Sequence, residues 1–371
     1  MKNKSITKGK TYTAGIIGVG RIGFSLGFDK KREQPASHTA TFKQNPRTNL
    51  IAACDVNISN LKNWHKYNKN ATIYSNVNDF FLFEKQKKGK IPDIISIAVN
   101  ESFHHEIALH AIKQQPQLII LEKPVALNIK EAEEIENTAI KYNVPILINH
   151  ERRFSKDYRL TKTLIKQIGE IQSITACLNS GMRLYSSKHD NDGFYSLLHD
   201  GTHLVDIILF LLDINSNSKD KLINQQISGL FYDQENNLRN ATITYSCKKC
   251  PSVQFIFSGR SKFFGFEVDI IGTLGRIKVG NGFFEYYKSK ESKLYSGFRS
   301  LELEEGTFYV KENNSTFKIK TKNRKIVGNT GYFSEMLNNA IDFLDGKDFL
   351  HSTIQDGIET LKILQNIKNN I

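Results

Sequence analysis

Ala14-Gly15-Ile16-Ile17-Gly18-Val19-Gly20-Arg21-Ile22-Gly23 is the stretch on which the reading of the fold turns. A short apolar run, expected as a buried strand, enters three glycines spaced Gly-x-Gly-x-x-Gly, and a helix is expected to follow. Each glycine has its own reason in such a unit. The first permits a tight turn, the second lets the backbone approach a pyrophosphate, and the third lets the helix pack closely on the strand. The free N–H groups of the helix N-terminus would then face the phosphates. Gly18, Val19, Gly20, Arg21, Ile22 and Gly23 are therefore candidate cofactor-binding residues.

Working outward, Asn49 to Asp55 reads as a second strand that ends on an acid. Asp55 is placed to accept hydrogen bonds from adenosine ribose hydroxyls, which favours NAD over NADP. The acid usually follows the glycines by about 20 residues, whereas Asp55 lies 32 residues beyond Gly23. The excess falls in Phe28 to Thr48, a polar stretch carrying Lys30-Lys31-Arg32 and read as an inserted loop. Those basic residues could accommodate a 2′-phosphate, so NADP stays open.

Further strands are expected at 92–99, 118–121 and 144–148, with helical patterns at 106–113 and 129–142. The strands are nearly continuous apolar runs, as strands covered on both faces are. Strand–helix alternation implies a parallel sheet with helices on both sides, an α/β domain of the Rossmann type. The pattern changes after about residue 155. Strands are expected at 171–178, 227–232, 241–246, 253–258 and 266–271, with few helices between the later ones. That points to an α+β domain with a large, mainly antiparallel open sheet. Helical patterns at 332–344 and 353–367 close the chain, while 215–221 and 311–315 read as loops. The expected domains are 1–150, binding NAD(P), and 151–371, for substrate and oligomerisation, with the final helices able to pack back on the first.

The 371 residues are 39% hydrophobic and 24% charged, a balance that supports ordinary cores rather than disorder. The net charge of +13 comes from 51 basic and 38 acidic residues. Because the lysines are scattered among Asn and Ile, a solvated basic surface is expected and not a nucleic-acid partner. No apolar run approaches the roughly 18 residues of a membrane span, and no signal segment is read at the N-terminus. A cytoplasmic protein without membrane contact is expected. Cys247-Lys248-Lys249-Cys250 has the spacing of half a zinc site, but no second pair accompanies it. Incidental thiols, and no metal, are expected.

A second constellation follows the fourth strand: Leu121-Glu122-Lys123-Pro124. Ligands bind at the carboxyl ends of such strands, and a lysine there can polarise a substrate hydroxyl. Pro124 restricts the backbone of Lys123. Together with Gly-x-Gly-x-x-Gly and the later Gly201-Thr202-His203-Leu204-Val205-Asp206, this motif resembles the glucose–fructose oxidoreductase/inositol dehydrogenase family, Gfo/Idh/MocA. The resemblance covers most of the chain. It implies that Glu122 and Lys123 lie near the nicotinamide and that Lys123 also contacts substrate. After the third strand His104 matches the family's Thr-Pro-x-x-x-His, whereas Asn100 replaces its proline; both are candidate cofactor contacts. Arg153-Phe154 resembles the Arg-Phe that opens the family's second domain.

The resemblance also implies that His203 is the acid/base of an Asp-x-Gly-x-His pattern. Here His199 stands in the acid's place, and Asp200 is one residue later. His203 falls in the first turn of an apolar helix, whose positive end helps keep the ring neutral and able to accept a proton. Asp200 is either the catalytic partner or a helix N-cap. Asp206, on a helix apolar nearly all round, should be buried and partnered; it orients His203 or bonds backbone. Arg153, Arg183, Tyr185, His199 and Asp200 are candidate substrate contacts beside Lys123 and His203.

The expected activity is hydride transfer between a nicotinamide and a secondary hydroxyl or ketone of a sugar, polyol or nucleotide sugar. A homo-oligomer, dimer or tetramer, is implied by the resemblance. The alternatives are a redox-neutral glycosidase-like enzyme that retains NAD, and a non-catalytic NAD(H)-binding sensor.

Overall fold

The computed structural model describes residues 9–292, 297–312 and 315–371. They form two compact units. One holds the residues through Glu122 together with Glu134–Asn149 and Phe333–His351. The other holds Lys123–Glu133, His150–Tyr332 and Ser352–Ile371. Residues 123–133 thus lie in the second unit, and 333–351 lie in the first.

In chain order the first 150 residues form β1 (Tyr12–Ile17), α1 (His38–Gln44), β2 (Thr48–Cys54), α2 (Ile58–Tyr67), β3 (Thr72–Tyr74), α3 (Val77–Lys88), β4 (Ile94–Ile97), α4 (His104–Lys113), β5 (Leu118–Leu121), α5 (Ile129–Tyr142) and β6 (Ile146–Ile148). The six strands make one parallel sheet in the order β3-β2-β1-β4-β5-β6. All four residues of β4 and of β5 are buried, the consequence of consecutive apolar residues covered on both faces. Strand order reverses between β1 and β4. The crevice outside their carboxyl ends is the general nucleotide position of such sheets.

Two expectations here are corrected. The glycine turn does not open a regular helix: Ser25–Phe28 forms a single 3₁₀ turn, and the first α-helix starts at His38. The stretch 28–48 is accordingly not all loop, because it contains α1. This seven-residue helix buries His38, Thr39, Thr41 and Phe42. Its inner face is made largely of Thr and His, so it lacks the apolar stripe that marks a helix in sequence. Ser37 accepts from the Ala40 N–H at 3.3 Å and caps it.

The second unit continues with α6 (Lys156–Leu164), β7 (Ile171–Asn179), α7 (Ser196–His199), α8 (Gly201–Leu212), β8 (Ile223–Tyr232), β9 (Leu238–Cys247), β10 (Cys250–Ser258), β11 (Gly265–Gly272), β12 (Gly275–Gly280), β13 (Phe283–Glu291) and β14 (Arg299–Leu303). Then come β15 (Gly306–Glu312), β16 (Ser315–Lys322), β17 (Lys325–Ile326), α9 (Tyr332–Leu344), which lies almost wholly in the first unit, and α10 (Ile354–Asn369). An eight-stranded sheet runs β14-β13-β12-β11-β7-β10-β9-β8. Its pairs are antiparallel except β7 with β10. Burial alternates along β9 and β10, so one face of these strands is packed. Helix α8 packs on β7 and β10 and is packed in turn by α10, which explains its apolar composition all round.

A separate small sheet, β15-β16-β17, packs against α6 and β13. The expected loop at 311–315 is shorter than read: Lys311 and Glu312 end β15, Ser315 begins β16, and 313–314 lie outside the described residues. Cys247 and Cys250 sit opposite one another where β9 turns into β10, and the four cysteines carry free thiols. Among the described residues no helix is long and apolar enough to cross a membrane.

Candidate functional site

In the first unit the glycine turn is built as its chemistry demands. Gly18 has φ +93°, and a Cβ there would lie 2.4 Å from the Ala98 carbonyl oxygen. A Cβ on Gly23 would lie 2.0 Å from the Gly18 carbonyl oxygen. Gly20 differs: the nearest atom to its Cβ would be Asn60 Nδ2, at 4.0 Å. Asp55 Oδ2 accepts from the Val19 N–H at 2.8 Å, and its Oδ1 accepts from the Asn57 N–H at 2.8 Å. The acid after β2 therefore braces the glycine turn, and a carboxylate retains acceptor sites for ribose hydroxyls. These residues fit a dinucleotide. The departure is that the turn leads into a short 3₁₀ turn, Ser25–Phe28, and not into a long helix.

The three glycines separate folding from binding. Gly23→Ala collides with backbone and is expected to lower the melting temperature. Gly20→Ala meets open space and should leave stability nearly unchanged while weakening nucleotide binding at least tenfold. Thermal melts and nucleotide titration calorimetry on both variants check this. Equal melting losses would contradict it.

The other cofactor-side candidates are placed as follows. Asn100 is exposed; its Oδ1 accepts from the Ser102 N–H and hydroxyl and caps a 3₁₀ turn after β4. His104 is buried, with Nε2 3.3 Å from the Val99 carbonyl oxygen, so its ring braces the loop instead of facing outward. Glu122 is buried directly after β5. Its Oε1 accepts from His38 Nε2 at 2.7 Å and from Asn149 Nδ2 at 2.6 Å. That oxygen joins the ends of β5 and β6 to α1. Sequence reasoning missed His38 and Asn149, and nothing local to either residue signals the pairing.

The second unit begins with Lys123, and here Lys123 and the region of His203 come together. Lys123 Nζ donates to the His199 carbonyl oxygen at 2.8 Å. His203, in the first turn of α8, is held well below the ordinary imidazole range. Burial is the main cause, and the positive charges of Lys123 and Arg152 and the rings of His150 and His199 add to it. The ring is therefore neutral at neutral pH. Its Nδ1 is buried without a hydrogen-bond partner among the described residues. The His199 side chain is exposed, and its backbone rather than its ring meets Lys123. Asp200 sits between α7 and α8 but does not cap α8 with its side chain. Its Oδ2 is 3.4 Å from the Ser196 hydroxyl, and the residue is half-buried. Of the two readings of Asp200, the cap is removed.

Asp206 does not orient His203. Its carboxylate accepts from Arg153 Nη2 at 2.7 Å and Nε at 2.9 Å, and from His150 Nδ1 at 2.8 Å. Burial would raise its pKa, but the Arg153 guanidinium and His150 outweigh that and lower it. Arg153 Nη1 also lies 3.2 Å from Asp356 Oδ1. Both oxygens of Asp356 are engaged, because Oδ2 accepts from the Thr353 N–H in the capping box of α10. Arg153 is thus held inside the unit by two carboxylates, which corrects its reading as a substrate contact. Arg183 Nη2 donates to the Phe194 carbonyl oxygen at 3.1 Å. Tyr185 packs edge-on against Tyr195. Both are half-buried in the segment that precedes α7. His150 and Asp356 were not singled out from sequence. The only available signal was that buried Asp206 needed partners.

Residues 12–150 match the model of an oxidoreductase family, GFO_IDH_MocA, described as an NAD-binding Rossmann fold. A D-glucoside 3-dehydrogenase of Escherichia coli (strain K12) is 24% identical over 241 residues, which is 62% of this chain and 63% of that protein. The match thus spans less than two thirds of that relative. A solved dehydrogenase (MviM) from Clostridium difficile superposes with a TM-score of 0.70 at 18% identity, covering 98% of this chain and 100% of that one. The WlbA dehydrogenase from Bordetella pertussis, solved with NADH and UDP-GlcNAcA, gives a TM-score of 0.66 at 15% identity over 97% of this chain and 95% of its own.

Proposed function

Because residues 12–150 match the model of the GFO_IDH_MocA oxidoreductase family, with its NAD-binding Rossmann fold, we propose that the protein is an NAD(P)-dependent dehydrogenase. It acts on a secondary hydroxyl of a sugar, polyol or nucleotide sugar, or on the corresponding ketone. The observation that carries this reading is the meeting of Lys123 with the turn before His203, residues that are far apart in sequence.

The glycine turn would hold the pyrophosphate and Asp55 the adenosine ribose. When bound, the nicotinamide supplies the hydride acceptor. Lys123 polarises the substrate hydroxyl as an ammonium donor. His203, kept neutral by burial and neighbouring cations, takes the hydroxyl proton as general base. In the reverse direction the same ring returns the proton to the carbonyl oxygen. Asp200 stands three residues before His203 and is partly open, which supports a role in holding substrate. The family's oligomeric habit belongs to this proposal and is supported by exposed Leu230, Phe231 and Tyr232 on β8. The relatives' names, a glucoside dehydrogenase and an enzyme solved with a nucleotide sugar, support the substrate class.

The test is a nicotinamide absorbance assay with NAD and with NADP against polyols, sugars and nucleotide sugars. Net cofactor reduction with at least one of them is expected. Nucleotide that stays bound through purification, with substrate turnover but no net reduction, would favour the redox-neutral alternative. Failure to bind either nucleotide would defeat the reading.

A further inference from the structure

The Cys247-Lys248-Lys249-Cys250 turn has no part in the chemistry above, yet it borders a cleft of about 680 Å³ in the second unit. The other walls are the end of α6 with the 3₁₀ turn after it, the start of β7 and the C-terminus of α8. Four lysines line the cleft, Lys162, Lys166, Lys248 and Lys249, against two acids, Glu170 and Asp213. Positive charge is therefore in excess, in a volume of the size that takes a small organic ligand.

Two of the lysines have an internal task. Lys162 Nζ donates to the carbonyl oxygens of Phe210 and Leu211 and lies 2.5 Å from Asp213 Oδ1. Lys249 Nζ donates to the Leu212 carbonyl oxygen at 2.6 Å and to Asp213 Oδ2 at 3.3 Å. They satisfy the last carbonyls of α8, as basic side chains do at a helix C-terminus, and they divide Asp213 between them. Burial, with the charge of Lys249 added, outweighs Asp213 and lowers the pKa of Lys162. Lys166 and Lys248 have no such task. Both are exposed, and neither side chain makes a hydrogen bond or ion pair among the described residues. Exposed Glu170 pairs with none of the four. The turn itself is fixed, because Asp220 accepts from the backbone N–H groups of Lys248 and Lys249 at 2.8 and 3.1 Å. Below it Cys247 and Cys250 are buried and pair across the strands. The hairpin thus holds its lysines over the cleft without drawing on the Lys248 ammonium.

We propose that this cleft binds a compact, multiply charged oxyanion, phosphate- or carboxylate-based, held by Lys166, Lys248 and Lys249. Lysine meets such groups as a point charge. Lys249 has three donors and uses two of them, which leaves one for the ligand. Helix α8 has 12 residues and rises about 18 Å, so a cleft at its C-terminus is separate from His203 in its first turn. The inference does not depend on the dehydrogenase reading.

Titration calorimetry of the full-length protein with pyrophosphate and, separately, with citrate tests this, in a low-salt buffer free of both. One anion per chain is expected to bind, more weakly as salt is added. The tighter of the two identifies the source as phosphate or carboxylate. The double variant Lys166→Gln/Lys248→Gln should melt as the wild type does and bind about tenfold or more weakly, the loss expected for two charged hydrogen bonds. Asp213→Asn removes a competing negative charge and should tighten binding about threefold or more. Gly20→Ala, altered at the glycine turn, should bind the anion unchanged. Three results would each overturn the proposal: no binding of either anion, undiminished binding by the double lysine variant, or an equal loss in Lys318→Gln/Lys320→Gln on β16. The last would assign the binding to diffuse surface charge.

Discussion

Lys123→Ala and His203→Ala are each expected to lower kcat by about 10²–10⁴-fold, the range for removing a positioned acid or base, with little change in nucleotide affinity. Lys123 belongs to the second unit and holds the His199 carbonyl at 2.8 Å, so its loss removes both the ammonium donor and a tie to the turn before α8. In the proposed mechanism His203→Ala removes the proton acceptor, and since both groups there serve one hydroxyl, the double variant should be scarcely slower than the worse single one. The pH dependence follows from the direction of the His203 shift. The ring is held well below the ordinary imidazole value of 6.5, by burial first and by Lys123 and Arg152 next. A base must be neutral, so alcohol oxidation should persist as pH falls through 6.5 and fail only as pH passes the depressed value. Ketone reduction needs the protonated ring and should gain as pH falls toward that value. Rates of both reactions against pH check this. Full activity in both single variants, or an oxidation profile that breaks at the ordinary imidazole value, would remove His203 and Lys123 from the mechanism.

Arg153→Met is expected to destabilise the protein by about 3–5 kcal/mol, the usual result of removing one partner from a buried ion pair. The side chain is about as long and apolar, so little packing volume is lost. What is lost is a guanidinium held against two buried or nearly buried carboxylates, Asp206 and Asp356. Asp206 would keep His150 as its cationic or donor partner and lose three close contacts from Arg153. Arg153→Lys should recover only part of the loss, because an ammonium cannot match the fork that grips Asp206. Equilibrium denaturation of both variants measures this. Unchanged stability together with a raised substrate KM would return Arg153 to the role of substrate contact that its Arg-Phe motif suggests.

The two variants also separate what was legible in the residues from what was not. Lys123 and His203 were visible because motifs report local requirements: a residue after a parallel strand, or a ring in the first turn of an apolar helix. Arg153 was visible only as part of a motif, and its partners were not. Asp206 was expected to be buried and paired because it stands on α8 among leucines and isoleucines, yet nothing near it in sequence named the partner. Arg153 comes from the segment after β6 and Asp356 from α10, and only packing of α10 against α8 brings them to Asp206. Helix α1 escaped for a different reason. It buries His and Thr beside one Phe, so its inner face has no apolar period. Strand β3, three residues long, is too short for any period to be read.

By itself the sequence determined the parallel sheet, the glycine turn with its acid, the change to an antiparallel sheet after residue 155, and the positions of Lys123 and His203. These follow from spacing along the chain, because period, turn chemistry and strand-end position are local properties. Only the tertiary structure decided that Glu122 is tied to His38 and Asn149. It alone decided that Asp206 serves His150 and Arg153 instead of His203. Buried polar groups must find partners, but which partner they find is set by which elements pack together.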